Sequence, residues 1–399
     1  MPVCRGRRSL VASFSTEFTF TDEQDQLRRA VRKFCADNFD EQSVRRLMDS
    51  DPPFDARAWQ RLGSELGVLG LAVPEEAGGA GGTLVDQAIA VEELGASLAC
   101  GPVFGTVFLA IPALVAAAAG PVRDALLAEL VEGRRTAAFA VPEQACEFDA
   151  TAVSITAADT ADGPALTGTV GRVVDAGAAD ELLVAATGPD GVALYAVDAA
   201  GPGVERTPLA TLDLTRPQAR VQLTGAPARL VAAPEEAERV ITQALHVGAT
   251  LLAVEQVGVA AHLLDLGVDY AKARLQFGRP IGSFQAVKHR LADMLIDAEH
   301  ARSTAYHAAW ALADGSDDPA LASSIAQATC SAAAAKIAAD TIQTLGGIGF
   351  TWEHQTHLYF KRATTDAALL GSAEQHRNRV AAMVLDTASA DRAPRVAAG

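Results

Sequence analysis

Between Glu238 and Lys272 apolar residues recur at helical spacing over an unusually long run, with Leu245, Leu252, Val259, Leu263 and Val268 marking one face. The run ends abruptly. Tyr270 to Gln285 reads YAKARLQFGRPIGSFQ, and Gly278, Pro280 and Gly282 close the helix in a tight turn. Three more helical stretches follow: Phe284 to Ala313, Pro319 to Leu345, and Trp352 to about Leu385. Four long, Ala-rich helices imply a bundle. A second glycine-rich signal, Gln343 to Phe350 (QTLGGIGF), separates the last two.

Upstream, Thr21 starts a first helix with Gln24 three residues on, a capping-box arrangement, and Leu27, Val31, Phe34 and Cys35 repeat at helical spacing. A second helix carries Trp59, Leu62, Leu66 and Leu69, and the loop LAVPEEAGGAGG follows from Leu71. Helices resume at Leu84 to Leu94 and run on to about Glu132. Leu94 to Val122 lacks charge and is long enough to cross a bilayer. Its interior glycines and prolines favour two buried helices with a break between them, not a membrane span. From about Thr136 the period changes to short, Val-rich runs such as VGRVVD, ELLVAA and VALYAV, ending near Val231. The expectation is an α+β chain. A helical domain covers 18–135, a middle antiparallel β-domain 136–232 and a C-terminal four-helix bundle 233–388, with disordered tails at 1–17 and 389–399.

With 399 residues the chain exceeds one ordinary core. Its formal charge of −16 argues against nucleic acid, whose backbone must be neutralised by Lys and Arg, and gives no global steering to an anionic ligand. Cys4, Cys35, Cys100, Cys146 and Cys330 lie far apart with no C-x-x-C, so neither a zinc site nor a disulfide framework is indicated and a reducing cytoplasm fits. Arg5, Arg7 and Arg8 precede an apolar stretch too brief for a secretory signal, which leaves a disordered tail or an over-extended start as the reading of the first residues.

Taken alone, R-x-Q-F-G also reads as a helix C-terminus with a charge in its last turn, and GGIG as a plain turn. In this order and at this spacing the two resemble the C-terminal signatures of the acyl-CoA dehydrogenase family of flavoproteins, R-x-[QT]-F-G-x-P-I and Q-x-x-G-G-x-G. The resemblance runs from about Phe18 to about Leu385 and includes the VPEE-x-GG-x-G loop. It implies a helix–β–helix architecture with FAD in the cleft between the β-domain and the bundle. It also implies removal of the α-proton and β-hydride of an acyl-CoA, with an electron-transferring flavoprotein as acceptor.

The family's base is usually a Glu in an E-G-[TS] turn. Aligned through Phe360, Lys361 and Ala363, that turn falls on Leu370-Gly371-Ser372, where a leucine replaces the carboxylate. Other members carry the Glu on the long helix, which in register is Gly248, with Ala249 where many have Arg. Neither position can take a proton. Asp366, four residues before Leu370, and Glu374, four after it, are weak substitutes; each reads as a solvated surface carboxylate.

The resemblance divides the flavin contacts. Arg274, Gln276, Phe277, Gln343, Gly346 and Gly347 match the residues that reach across a subunit interface to a neighbour's FAD. Arg274 offers a planar charged fork to a pyrophosphate. The contacts to a chain's own flavin, T-E-P-x-x-G-S-D and N-G-x-K-x-W-I-T-N, are eroded. They read PEQACEFD (Pro142 to Asp149) and GTVGRVVD (Gly168 to Asp175), with Arg172 at the aromatic position and Val174 at the threonine. Asp297-x-x-His300 and Glu353, His354 and His357 are too few for a di-iron site, so no metal is expected. The segment TWEHQTHLYFKRA (Thr351 to Ala363) looks like the interface helix of actinobacterial members that work as paired subunits on bulky acyl-CoA thioesters, steroid side chains included.

The leading expectation is a subunit of a hetero-oligomeric, FAD-dependent acyl-CoA dehydrogenase, completed by a homologous partner. A self-sufficient homotetramer with an unconventional base, and a non-catalytic acyl-CoA-binding scaffold, remain the alternatives.

Overall fold

The computed structural model describes residues 20–144 and 146–386, without the side chains of Glu143 and Gln144. The tails read at 1–17 and 389–399 lie outside the described residues.

Thr21 caps the first helix, α1 (Asp22–Asn38), as its spacing to Gln24 predicts: each side chain bonds the other's backbone N–H. Next come α2 (Glu41–Met48), capped by Asp40 and not anticipated from the sequence, and α3 (Ala56–Ser64), capped by Asp55. A second capping box, Thr83 with Asp86, opens α4 (Leu84–Ala96). The uncharged stretch beyond it breaks at 97–102. It re-forms as one buried helix, a π-turn over Phe104–Ala110 running into α5 (Ile111–Ala116), before α6 (Pro121–Val131).

The β-region contains β1 (Ala137–Ala140), a short hairpin of β2 (Glu143–Gln144) and β3 (Glu147–Phe148), and β4 (Thr156–Thr160). It continues with β5 (Gly163–Val174), β6 (Glu181–Gly188), β7 (Gly191–Asp198), β8 (Val204–Pro208), β9 (Gln218–Pro227) and β10 (Arg229–Ala232). The main sheet runs β10-β7-β6-β4-β5-β9-β8, with β1 added to β6. Antiparallel pairing dominates, as expected, but the sheet is mixed. β1 lies parallel to β6 (Ala137 opposite Glu181), and a single parallel bridge, Thr156 to Thr187, joins β4 to β6. Strand alternation splits β6 between two cores: Leu183 and Ala185 pack with the helices, Leu182 and Val184 within the sheet.

The long run becomes α7 (Pro234–Ala273), 40 residues, followed by the tight hairpin β11 (Leu275–Gln276) and β12 (Arg279–Pro280). Then come α8 (Gln285–Asp314) and α9 (Pro319–Leu345). The fourth helix is divided: α10 (Thr356–Asp366) and α11 (Ala373–Ala381) flank a turn in which Leu370 takes φ +54° and Gly371 φ +97°. Among the described residues α7 is the one helix long and apolar enough to cross a membrane, and 83% of its apolar window is buried in the core.

Candidate functional site

Helix direction decides where the two glycine-rich signatures meet. Thr341 Oγ1 donates to Leu263 O at 3.1 Å and Gln256 pairs with Ser331, so α7 and α9 run parallel and end together. The α8 helix returns antiparallel, with Lys336 on Asp297 (2.5 Å) and Arg290 on Asp340 (3.6 Å). The R-x-Q-F-G hairpin and the GGIG turn therefore leave the same end of the bundle. Arg274, Gln276, Phe277, Gln343, Gly346 and Gly347 are all exposed there. Phe277 is 91% exposed at φ +53°, its ring 6.1 Å from that of Phe284, and Phe350 and Trp352 are exposed as well. These rings form an exposed apolar set at this end of the bundle. A Cβ at Gly347 would meet nothing within 4 Å and its φ is not positive, so this chain's own packing gives no reason for a glycine. The set suits a dinucleotide pyrophosphate: a guanidinium fork, two side-chain amides and bare backbone.

On the other face of the expected flavin cleft, the turn at the usual base position is covered by protein contacts. Leu370, at the position of the missing base, is buried. Its carbonyl oxygen accepts from Cys146 Sγ at 3.2 Å and lies 2.7 Å from His376 Nε2. Cys146 comes from the altered PEQACEFD segment, sits at φ +64° and is fully buried. The β-region loop thus rests directly on the turn that would face the flavin. Glu147 follows with an ion pair to Arg379 (3.1 Å), whose other nitrogen lies 3.4 Å from His246 Nε2. Burial first, then the Arg379 charge, pulls His246 down to about 4, so it is a neutral ring. On β5, Arg172 points to solvent while Val174 is buried. The second base position is covered too: a Cβ on Gly248 would lie 2.5 Å from Leu109 Cδ2.

Asp366 is not the surface carboxylate its sequence setting indicated. The helix stops at that residue, so it shares no helical face with Leu370, and it is fully buried where the sheet loop, α4–α5 region and bundle converge. Arg362, also buried, donates to Asp213 Oδ2 (2.7 Å), Glu255 Oε1 (2.9 Å) and Thr215 Oγ1 (2.6 Å). Arg216 pairs with Glu255, lies 3.6 Å from Asp366 and covers the Phe104 ring at 5.3 Å. Asp175 accepts from the Gly105 N–H at 2.8 Å. Two guanidinium groups thus face four buried carboxyls, Asp175, Asp213, Glu255 and Asp366. Burial disfavours the charged form of two of these carboxyls. Burial raises Asp366 to about 8 against the pull of Arg216, and raises Asp175 to about 6. Glu374, by contrast, is exposed in the first turn of α11.

Among the described residues no three His, Cys, Asp or Glu side chains gather as a metal site. Asp297 is engaged by Lys336, and His354 Nδ1 lies 2.6 Å from Thr356 Oγ1. Cys146, His246, His376 and Arg379 carry no local sequence signal; only the loss of the Gly-Ser pair in the PEQACEFD segment marked their neighbourhood as altered.

Residues 21–134 match the acyl-CoA dehydrogenase N-terminal domain and residues 238–385 the C-terminal domain. The chain is 37% identical to the acyl-CoA dehydrogenase IpdE2 of Mycobacterium tuberculosis, over 92% of this chain and 98% of that protein. It superimposes with a TM-score of 0.82 on a chain of the ChsE4-ChsE5 complex from Mycobacterium tuberculosis, at 30% identity and covering 95% and 100% of the two chains. A Tcur3481-Tcur3483 steroid ACAD variant gives a TM-score of 0.82 at 31% identity, covering 92% and 99%. This chain belongs to the acyl-CoA dehydrogenase family of FAD-dependent oxidoreductases.

Proposed function

We propose that this chain is one subunit of a hetero-oligomeric acyl-CoA dehydrogenase, in which it contributes the cross-subunit half of a shared FAD site and leaves proton abstraction to a homologous partner. One observation carries the reading. The turn at the usual base position, Leu370, is buried against Cys146, while the six residues that match the family's neighbour-flavin contacts face outward. FAD, when bound, supplies the acceptor for the substrate's β-hydride. This chain's Arg274 would pair with the pyrophosphate, Gln276 and Gln343 would bond its polar edge, and Phe277 would exclude water from the seam. The partner would bring the carboxylate that takes the α-proton.

Relatives described as a two-chain complex and as a steroid ACAD support a paired enzyme acting on a bulky, branched or steroid-side-chain acyl-CoA. An electron-transferring flavoprotein as acceptor and a cytoplasmic location complete the reading; four buried cysteines without disulfides fit that location. A self-sufficient enzyme would need Asp366 or Glu374 as base. Asp366 is walled in by Arg216, Glu255 and Arg362, and Glu374 stands in solvent.

Co-expression with a dehydrogenase-family partner tests this. The complex should bleach with acyl-CoA, Arg274→Ala should lower its flavin content, and Asp366→Asn and Glu374→Gln should leave turnover unchanged. Turnover lost in either carboxylate variant while the variant stays folded would return the base to this chain.

A further inference from the structure

Past the GGIG turn the chain sets one aromatic ring apart. The short helical turn Gly346–Phe350 leads, before α10, to Trp352, which is 63% exposed. Lys361 Nζ lies over the indole, 4.2 Å from its centre. The His357 ring meets it edge-on, with centroids 4.5 Å apart at 66°. A cation thus covers one face and an imidazole abuts the edge, and the opposite face is left to solvent. An indole wedged in this way has little rotamer freedom to lose, so a ring that stacks on it meets a platform already ordered. Trp352 lies outside both glycine-rich signatures.

Position selects the ligand. Three residue steps of tight helical turn and two beyond it join Gly347 to Trp352, so the two lie at most about 13 Å apart. An adenosine arm covers that span from a pyrophosphate seated on the bare Gly346-Gly347 backbone. The Lys361 ammonium favours a phosphate-bearing ligand over a plain hydrophobe. A flat purine is the part of such a ligand that an open indole face accepts. We infer that Trp352 stacks the adenine of the shared FAD and so sets the base specificity of the cross-subunit half-site. This rests on the half-site reading above. Lys361 and His357 act through Trp352 as positioning residues.

Equilibrium dialysis of ADP and UDP against the flavin-free complex, with tryptophan fluorescence alongside, tests this without turnover. The two nucleotides share the diphosphate and differ in the base. ADP should bind about tenfold or more tighter than UDP. It should also quench the emission of Trp352, the most exposed of three tryptophans, since Trp59 is buried and Trp310 half-buried. Trp352→Ala should abolish the preference for ADP and Trp352→Phe should keep it, while Arg274→Ala should weaken both nucleotides alike. FAD should displace ADP, and coenzyme A, which carries the same adenosine pyrophosphate, should not. If Arg274→Ala acts as expected but Trp352→Ala leaves the ADP preference intact, the inference falls and the half-site reading stands. If neither variant alters either nucleotide, both fall. Equal weakening of ADP and UDP by Trp352→Ala, or displacement by coenzyme A as strong as by FAD, also overturns the inference.

Discussion

The thiol of Cys146 lies 3.2 Å from the carbonyl oxygen of Leu370, which it reaches as a donor across the cleft between the β-region and the bundle. The two residues stand at the two places where sequence erosion is most evident, the PEQACEFD loop and the base turn. Both take positive φ although neither is glycine. The altered loop and the altered turn are therefore complementary, and each makes sense of the other's departure from the family pattern.

Restoring a carboxylate should not restore a lone enzyme. Leu370→Glu places a charge in a buried site, and we expect a stability loss of about 2–3 kcal/mol by urea unfolding. Dye reduction by the variant alone, with acyl-CoA present, should stay at background. Measurable turnover by the lone variant would show that the lone chain takes flavin after all.

The three-way junction predicts an unusual pH dependence. Asp366 and Asp175 have folded values of about 8 and about 6. Both lie above the unfolded value of about 3.9, so the folded chain binds more protons across that window. Their contribution to stability is full below the unfolded value and is lost as pH rises through the folded values. Thermal midpoints should fall as pH is raised from about 5 to about 9, and Asp366→Asn should flatten the upper part of that fall. Parallel curves for wild type and variant would contradict the assignment.

Arg362 is the largest fully buried side chain described, and it serves Asp213, Glu255 and Thr215 at once. Burial alone would lower its proton affinity, but Asp213 and Glu255 outweigh that and raise it. Arg362→Met leaves Asp213 without its cation and Glu255 with Arg216 alone, and should cost about 3–5 kcal/mol in denaturant unfolding. Arg362→Lys should recover only part, because one ammonium cannot fan out to three partners.

At the bundle end, Phe277→Asp should leave the lone chain's thermal midpoint within about 1 °C, since the ring is 91% exposed and its loss uncovers nothing. The same change should abolish co-purification with the partner and the flavin that depends on it. Size-exclusion chromatography with visible detection reads both effects.

Much of the fold was legible because it is local. The Thr21 capping box, the long α7 run and the period-2 strands each follow from neighbours in sequence, and the displayed set from Arg274 to Gly347 follows from two short signatures. The departures arise where distant segments meet. The last helix breaks because Leu370 and Gly371 turn left-handed beneath Cys146, a contact 224 residues apart in sequence. Asp366 looked like a surface carboxylate because its burial is imposed by Arg216 and Glu255, which no local spacing connects to it. The eight-residue α2 was missed because its apolar stripe, Val44 and Leu47, is too short to stand out as a period.

The most direct test of the half-site account is flavin stoichiometry, read from the visible spectrum of the purified chain alone and co-purified with its partner. The account predicts a colourless lone chain and a yellow complex with about one FAD per pair of chains, one composite site being formed from two halves. A yellow lone chain that bleaches with acyl-CoA would contradict it and place a complete site, base included, within this single sequence.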